Sequence, residues 1–271
     1  MPRNKGDIIK LESDICLSAV ASAGKELIDF QINNPKNLEK WNKFEAGLVT
    51  QADLKSDEII KNIIKEKSKH GILSEESRED FDASSDEFFC VDPLCGTVPY
   101  SNNLNTWGLT VSFFSKDRSV GAIGCPGIND YIHCDEKNVY LNGEVYIPEI
   151  NFPEMIDMTL CLEIEQGKNW FELFNNELNW VKNFSYINSF ASAVYPGLQI
   201  IKGNLPIMAI YKISLEHVGG LISIGEKIGI KSTDQFGNNL KTDNLIDNVP
   251  DWFIFGWPDV HESLLKKINK S

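Results

Sequence analysis

The sequence predicts an α/β protein, and three features of the chain point to that class. Two segments within the first 70 residues carry apolar side chains at the spacing of amphipathic helices. From Phe88 to Ala122, short runs of β-branched and aromatic residues are typical of neighbouring strands. After Pro153, strand-like and helix-like segments alternate, which is the pattern of an α/β unit.

Two helices are predicted near the N-terminus. Apolar residues recur at helical spacing over residues 7–31, and the turn residues that begin at Asn33 end this helix. Thr50 and Asp53 fit a capping box at the start of a second helix, which Gly71 ends.

The remaining elements follow the same logic of period and turn residues. Strands are predicted at 71–73, 88–91, 109–114 and 119–123, with a hairpin over 131–140. In the second half, strands at 158–164, 184–187, 207–211 and 228–232 alternate with helices at 169–176, 190–202 and 214–226.

Composition and length suit a folded chain of one large or two modest domains. The 271 residues are 42% hydrophobic and 24% charged, the ordinary balance of a globular protein. We predict an N-terminal α+β sub-domain over residues 1–150, with an antiparallel sheet and the metal and phosphate motifs. A C-terminal α/β sub-domain with a mixed sheet is predicted over residues 151–271.

The charge balance argues against two classes of partner. Lys and Arg number 26 and Asp and Glu number 39, so the formal net charge is −13. Such a surface repels phosphate backbones and anionic membranes, so we expect neither nucleic acid nor a membrane as partner.

The N-terminus lacks the apolar core of a signal peptide, which predicts a cytoplasmic protein. The six cysteines show no paired spacing and are predicted to be free thiols.

Three acidic clusters lie at the ends of predicted strands or the start of a helix. They are Ser74–Ser77, Val91–Thr97 and Leu215–His217. Carboxylates and a backbone carbonyl are the ligands that Mg²⁺ prefers. The turn at Gly96 and Thr97 offers N–H groups and a hydroxyl to phosphate oxygens. These clusters favour a site for a cation and a phosphate, whereas His217 itself is interpreted as a surface or core histidine.

The order and spacing of these segments resemble the inositol monophosphatase superfamily of lithium-sensitive, Mg²⁺-dependent phosphatases. Five segments carry the resemblance, and the motif Val91–Thr97 is the most specific of them. The segments are Leu48–Asp53, His70–Ser77, Val91–Thr97, Ala191–Ala193 with Gly203, and Glu216–Gly229. The resemblance implies a layered α-β-α-β-α sandwich, a homodimer and a site for several Mg²⁺ ions.

The resemblance also implies roles for nine residues. The implied metal ligands are Glu75, Asp92, the Leu94 carbonyl and Glu216. The implied substrate or phosphate contacts are Gly96, Thr97, Ala191, Ser192 and Glu216, and the implied catalytic residues are Thr97, Glu75 and Cys95.

Two carboxylates of the family pattern are absent from this chain. Cys95 stands where the main motif has its second Asp, and Gly47 stands where the segment before Thr50 has its leading Asp. Because a thiol is a poor ligand for Mg²⁺, one or two ions are expected rather than three.

These observations leave three functions open. The leading hypothesis is a Mg²⁺-dependent phosphomonoesterase acting on a small phosphorylated metabolite: an inositol phosphate, a sugar phosphate or a nucleotide bisphosphate. The second is a weakened or inactive relative that binds a phosphorylated ligand or a partner protein. The third is a biosynthetic enzyme that uses Cys95 directly.

Overall fold

Two large β-sheets alternate with three layers of helices in the described part of this protein, and the strands Lys40–Lys43 and Gly47–Thr50 pair in a separate two-stranded sheet. The computed structural model describes residues 5–33, 40–43, 47–77, 81–82, 85–116, 118–150, 152, 159–165, 167–174, 178–240, 245–246 and 249–268. The first sheet has seven strands between Gly71 and Val145, and the second has five strands between Thr159 and Gly256. The predicted α/β class is confirmed.

The elements of the first half are α1 and α2, the short helix α3 and nine strands. They are α1 (Lys5–Asn33), β1 (Lys40–Lys43), β2 (Gly47–Thr50), α2 (Gln51–Lys67), β3 (Gly71–Ser74), β4 (Phe88–Cys95), α3 (Thr97–Ser101), β5 (Gly108–Ser115), β6 (Arg118–Cys125), β7 (Asp130–Cys134), β8 (Val139–Leu141) and β9 (Glu144–Val145). The predicted capping box of α2 is confirmed: the Thr50 side chain accepts from a backbone N–H of α2, and Asp53 reaches back to the Thr50 N–H.

The second half contributes five strands and the remaining helices. They are β10 (Thr159–Glu163), α4 (Gly167–Phe174), β11 (Tyr186–Asn188), α5 (Val194–Ile201), β12 (Ile207–Tyr211), α6 (Leu215–Ile228), β13 (Lys231–Thr233), β14 (Trp252–Gly256) and α7 (Pro258–Ile268).

The first sheet is antiparallel apart from one edge pair. Its strands run in the order β3-β4-β5-β6-β7-β8-β9, and only β3 and β4 are parallel neighbours among them. Helices α1 and α2 pack against this sheet, and α6 also packs against β4, β5 and β6. The approach of α6 is close: a Cβ at Gly220 would lie 2.1 Å from Thr110 Oγ1.

The second sheet is mixed and separates two hydrophobic cores. Its order is β11-β10-β12-β14-β13, with β10 parallel to β11 and β12 and the β14 pairings antiparallel. Leu160 and Leu162 join the core that contains Leu264 of α7, whereas Cys161 joins the larger core shared with α5 and α6. Because successive strand residues face opposite sides, α5 and α6 lie between the sheets and α7 lies outside. The expected α-β-α-β-α sandwich is therefore confirmed.

The structure corrects several element boundaries. The helix predicted at 190–202 begins only at Val194, because residues before it form a loop tied to Glu163. The strand predicted at 228–232 begins at Lys231, because α6 runs on to Ile228 and ends at Gly229 with φ of +85°. The strand β14 and the helix α7 carry no signal that the sequence analysis recognised.

The two sheets lie on either side of residue 150, but residues from both halves share the larger core. The division into two sub-domains stays a prediction. All six cysteines are free, as predicted. Among the described residues, no helix is both long enough and apolar enough to cross a membrane.

Candidate functional site

One cleft of about 330 Å³ lies where the end of β4, the loop before α5 and the first turn of α6 meet. Eight of the nine residues given roles from the sequence line this cleft. They are Glu75, Asp92, Leu94, Cys95, Gly96, Thr97, Ala191 and Ser192. The ninth, Glu216, is 2% exposed at the start of α6 and is not among the described residues that line the cleft. A ligand role for Glu216 stays a prediction.

An irregularity in β4 brings Asp92 and Cys95 to the same cleft. Asp92 pairs with Thr110 and Cys95 pairs with Gly108, so three steps along β4 oppose two steps along β5. In a regular strand, residues three apart point to opposite faces, but an extra bulged residue re-aims the chain. The Leu94 N–H also donates to Asp92 Oδ1 at 3.1 Å, which orients the carboxylate.

His217 of α6 faces two carboxylates. Its Nδ1 lies 2.7 Å from Asp92 Oδ2 and 4.0 Å from Glu75 Oε2. Burial lowers the pKa of His217, but the charges of Glu75 and Asp92 outweigh burial and hold that pKa well above its ordinary value. Burial, reinforced by the charge of Asp92, raises the pKa of Glu75. The two carboxylates are thus well within the roughly 10 Å that sharing one cation cluster requires.

The sequence analysis gave His217 no role in the site. Successive residues of a helix point about 100° apart, so Glu216 and His217 cannot present their side chains in the same direction. The sequence resemblance implied Glu216 as the metal ligand because this residue keeps the acidic charge of the family motif. The packing of α6 instead places His217 in the cleft. The rotation of α6 about its axis, which the motif does not reveal, decides between the two residues.

Hydrogen-bond donors at the start of α5 surround the Cys95 sulfur. The backbone N–H groups of Ala193 and Val194 point at Sγ at 3.2 and 3.4 Å, and the Ser192 hydroxyl lies 3.6 Å away. Burial, followed by the charge of Asp92, raises the pKa of the Cys95 thiol to about 11. Without a bound cation the group is therefore a neutral thiol near pH 7.

Thr97 belongs to a buried chain of polar groups. Its hydroxyl donates to Asp53 Oδ1 at 2.8 Å, and Asp53 Oδ2 accepts from the Thr50 N–H at 2.8 Å and the Thr50 hydroxyl at 2.5 Å. Burial raises the pKa of Asp53 to about 6. Asp53 is a second residue that sequence reasoning missed, because the capping box already accounted for its carboxylate.

A buried carboxylate shapes the loop that precedes α5. Glu163, at the end of β10, accepts from the Ser189 hydroxyl at 2.9 Å and from the N–H groups of Phe190 and Ala191 at 2.5 and 3.0 Å. Ala191 adopts φ of +51°, a conformation more typical of glycine. The loop therefore holds Ser192 and the N–H groups that follow it in fixed positions beside Cys95.

The turn at Gly96 depends on glycine in two ways. Its φ of +98° is one that side chains rarely adopt, and a Cβ at Gly96 would lie 3.0 Å from the Ser192 Cβ. The Ser192 hydroxyl also donates to the Cys95 carbonyl at 3.1 Å. The Gly96–Thr97 turn and the loop before α5 therefore form adjoining walls of the cleft.

Comparison with known proteins identifies relatives of this chain. The model of the inositol monophosphatase family matches residues 11–169. "Phosphatase IMPL1, chloroplastic" of Arabidopsis thaliana is 31% identical over 103 residues, which span 38% of this chain and 27% of that protein. "Inositol-1-monophosphatase" of Rhizobium meliloti (strain 1021) is 29% identical over 126 residues, 46% of this chain and 47% of that protein. This chain therefore spans less than half the length of either curated relative in these alignments.

Solved structures match the whole fold. The extragenic suppressor protein suhB from Bartonella henselae superposes with a TM-score of 0.82 at 22% identity, over 95% of this chain and 98% of that one. The IMPase of Thermotoga maritima gives a TM-score of 0.77 at 19% identity, over 95% and 96% of the two chains. At such low identity, these likenesses show a shared fold.

Proposed function

This chain belongs to the inositol monophosphatase family, and we propose that it is a Mg²⁺-dependent phosphomonoesterase for a small phosphorylated metabolite. The observation that carries the proposal is the cleft, in which Glu75 and Asp92 lie beside the turn at Gly96 and Thr97. A volume of about 330 Å³ suits a small substrate. The candidate substrates are inositol phosphates, sugar phosphates and nucleotide bisphosphates.

Oxygen donors in the cleft fit one Mg²⁺ ion. Glu75, Asp92 and the Leu94 carbonyl would hold it, because Mg²⁺ prefers carboxylate and carbonyl oxygens together with water. Cys95 and His217 offer sulfur and nitrogen, which do not suit Mg²⁺. A bound Mg²⁺ would neutralise charge on the phosphoryl oxygens and lower the pKa of a coordinated water.

We propose that Thr97 orients the attacking water. Its hydroxyl donates a hydrogen bond to Asp53, so the Thr97 oxygen remains free to accept a hydrogen bond from a water molecule. Asp53 is the carboxylate that contacts Thr97, whereas Gly47 has no side chain to supply one. With a pKa near 6, Asp53 is ionised at pH 7 and able to take up a proton during the reaction.

The phosphate would lie between the two adjoining walls of the cleft. Thr97 offers its backbone N–H on one wall, and Ala191 and Ser192 lie on the other. Because Glu163 fixes the second wall through three hydrogen bonds, this wall is preorganised for a ligand.

The test is release of inorganic phosphate from a panel of the three substrate classes, with Mg²⁺ as the added metal. Thr97→Val keeps the side-chain shape but removes the hydroxyl, so we expect kcat to fall at least about 100-fold. Thr159→Val, at the start of β10 and outside the cleft, is the matched control and should keep its activity. A wild-type chain that binds a panel compound but releases no phosphate would instead support an inactive, ligand-binding relative.

We further propose that the protein is cytoplasmic and that it is a homodimer, as the sequence resemblance implies. Light scattering should then give twice the chain mass of 30.6 kDa. A mass equal to one chain at micromolar concentration would contradict the dimer.

A further inference from the structure

Three different donor types converge beside the oxygen ligands of the cleft. One ligand atom each from Asp92, Cys95 and His217 lies within 4.8 Å of the other two. We propose that these three side chains form a second cation position, which selects Zn²⁺ over Mg²⁺. The inference rests on the proposed function only in that Asp92 would be shared with the Mg²⁺ position.

The donor set is that of a zinc site. Zn²⁺ binds thiolate sulfur, imidazole nitrogen and carboxylate oxygen, and sites with three protein ligands leave a fourth position open for water or substrate. Ligand atoms around a tetrahedral Zn²⁺ lie about 3.5 Å apart, given bond lengths of about 2.0–2.3 Å. The separations found here require only small side-chain adjustments to reach that geometry.

The sulfur already has the outer contacts of a metal thiolate. The N–H groups of Ala193 and Val194 both point at Cys95 Sγ, and the Ser192 oxygen lies 3.6 Å from it. Hydrogen bonds of this kind, made to a ligand from outside the metal's own shell, orient the ligand and tune the metal. These N–H groups lie at the start of α5, directly after the loop that Glu163 fixes, so the sulfur is held in place before any cation binds.

Access and charge also favour a cation at this position. Asp92 is fully buried and Cys95 is 5% exposed, but both line the cleft from which an ion would enter. Glu75 Oε2 is 4.0 Å from the His217 Nδ1, so a second carboxylate adds negative potential there. The two residues least suited to Mg²⁺, Cys95 and His217, are thus the pair that suits Zn²⁺.

The experiment titrates the metal-free full-length chain with Zn²⁺ and with Co²⁺, each in the absence and presence of excess Mg²⁺. Co²⁺ reports the ligands, because thiolate coordination produces a sulfur-to-metal charge-transfer absorption. We expect one equivalent of Co²⁺ to bind with that absorption and excess Mg²⁺ not to displace it.

Variants identify the ligands. Cys95→Ser and Cys95→Asp should abolish the charge-transfer absorption, and Cys95→Asp should also tighten Mg²⁺ binding by at least about tenfold. His217→Gln should weaken Zn²⁺ binding by at least about tenfold. Cys134→Ala and His133→Gln on β7 are the matched controls, and both should retain the absorption and the wild-type affinity. Thermal melting of each variant verifies that it is folded.

Two outcomes would overturn the zinc position: no charge-transfer absorption in the wild type, or equal Zn²⁺ affinity in the wild type and Cys95→Ser. Phosphate release in Mg²⁺ alone is measured separately. Phosphate release without the absorption would refute the zinc position but not the phosphatase. The absorption without phosphate release from any panel compound would refute the phosphatase but not the zinc position.

Discussion

Asp53 caps helix α2 and also contacts Thr97 of the cleft, whereas the sequence predicted only its role in the capping box. Its Oδ2 caps α2 through Thr50, and its Oδ1 accepts the Thr97 hydroxyl on the wall of the cleft. The ionised carboxylate accepts these bonds more strongly than the neutral acid does. Burial works against that ionised form and raises the pKa of Asp53 to about 6.

This conflict predicts a pH-dependent stability. The pKa of Asp53 is about 6 in the folded chain against an ordinary 3.8. Between these values the folded state binds more protons, so its stability falls as pH rises and levels off above about pH 6. From pH 5 to 7, the wild type should lose about 1 kcal/mol of unfolding free energy relative to Asp53→Asn. Denaturant unfolding across this range measures it.

The exposed substitution Asp259→Asn on α7 serves as the control and should follow the wild-type profile. Parallel profiles for the wild type and Asp53→Asn would show that Asp53 does not titrate in this window.

Single residues of the site differ in how well the sequence foretold them. Asp92, Gly96 and Thr97 lie in one short motif, so their proximity followed from the local chain alone. His217 reaches Asp92 from 125 residues away, and its place depends on how α6 is rotated against the first sheet. Such a contact has no local signature, because helix packing rather than residue order creates it.

At the scale of elements, the turn from β4 into α3 concentrates backbone constraints. A bulge ends the regular pairing of β4 between Asp92 and Cys95, and the next residue, Gly96, has a φ of +98°. The bulge directs the side chains of Asp92 and Cys95 into the cleft, and Gly96 turns the chain where it passes close to Ser192.

Gly96→Ala should therefore cost more than an ordinary left-handed glycine. The new Cβ would lie 3.0 Å from Ser192 Cβ and 3.1 Å from Pro99 Cγ, so crowding adds to the backbone strain. We expect a loss of about 2–4 kcal/mol in unfolding free energy and a marked fall in phosphate release.

Gly143→Ala separates the two costs. Gly143 has φ of +87°, but nothing lies within 4 Å of its Cβ position, so this variant measures strain alone at about 1–2 kcal/mol. Equal losses of unfolding free energy in the two variants would show that crowding against Ser192 contributes nothing.

Helices and strands were predicted correctly where the spacing of apolar residues was regular. The prediction failed where tertiary contacts set the end of an element. The capped helix α2 and the strands β5 and β6 follow from local pattern. The start of α5 does not, because Glu163 draws Phe190 and Ala191 into a loop although these residues suit a helix. Strand β14 is a short, fully buried apolar run that follows the turn residues Pro250 and Asp251, and the sequence analysis did not recognise it as a strand.

At the scale of the whole molecule, α6 joins the two sheets and carries His217. It approaches the first sheet closely at Gly219 and Gly220, and its other neighbours include α5 and β13 of the second half. The distance from α6 to β5 therefore sets how far His217 reaches into the cleft.

Gly220→Ala should displace the helix and the site together. Its Cβ would lie 2.1 Å from Thr110 Oγ1 on β5, so α6 must move away from the sheet. We expect a loss of about 1–3 kcal/mol in unfolding free energy, with weaker Co²⁺ binding at Cys95 and slower phosphate release. Denaturant unfolding and the Co²⁺ titration measure these effects.

The control is Gly229→Ala at the end of α6, where nothing lies within 4 Å of the Cβ position and only the φ of +85° is strained. This variant should lose stability but keep its Co²⁺ absorption. Unchanged Co²⁺ binding in Gly220→Ala would show that the spacing of α6 does not control the site.

The position of α6 also orders events on the ribosome. Every strand of the first sheet is encoded before residue 146, whereas the helix that packs against β4, β5 and β6 begins at Leu215. A growing chain therefore presents the uncovered face of a finished sheet for some 70 further residues of synthesis, at a rate of about 5–20 residues per second. Through that interval the nascent protein is most exposed to aggregation and most in need of chaperones, and it has no His217 with which to complete the cleft.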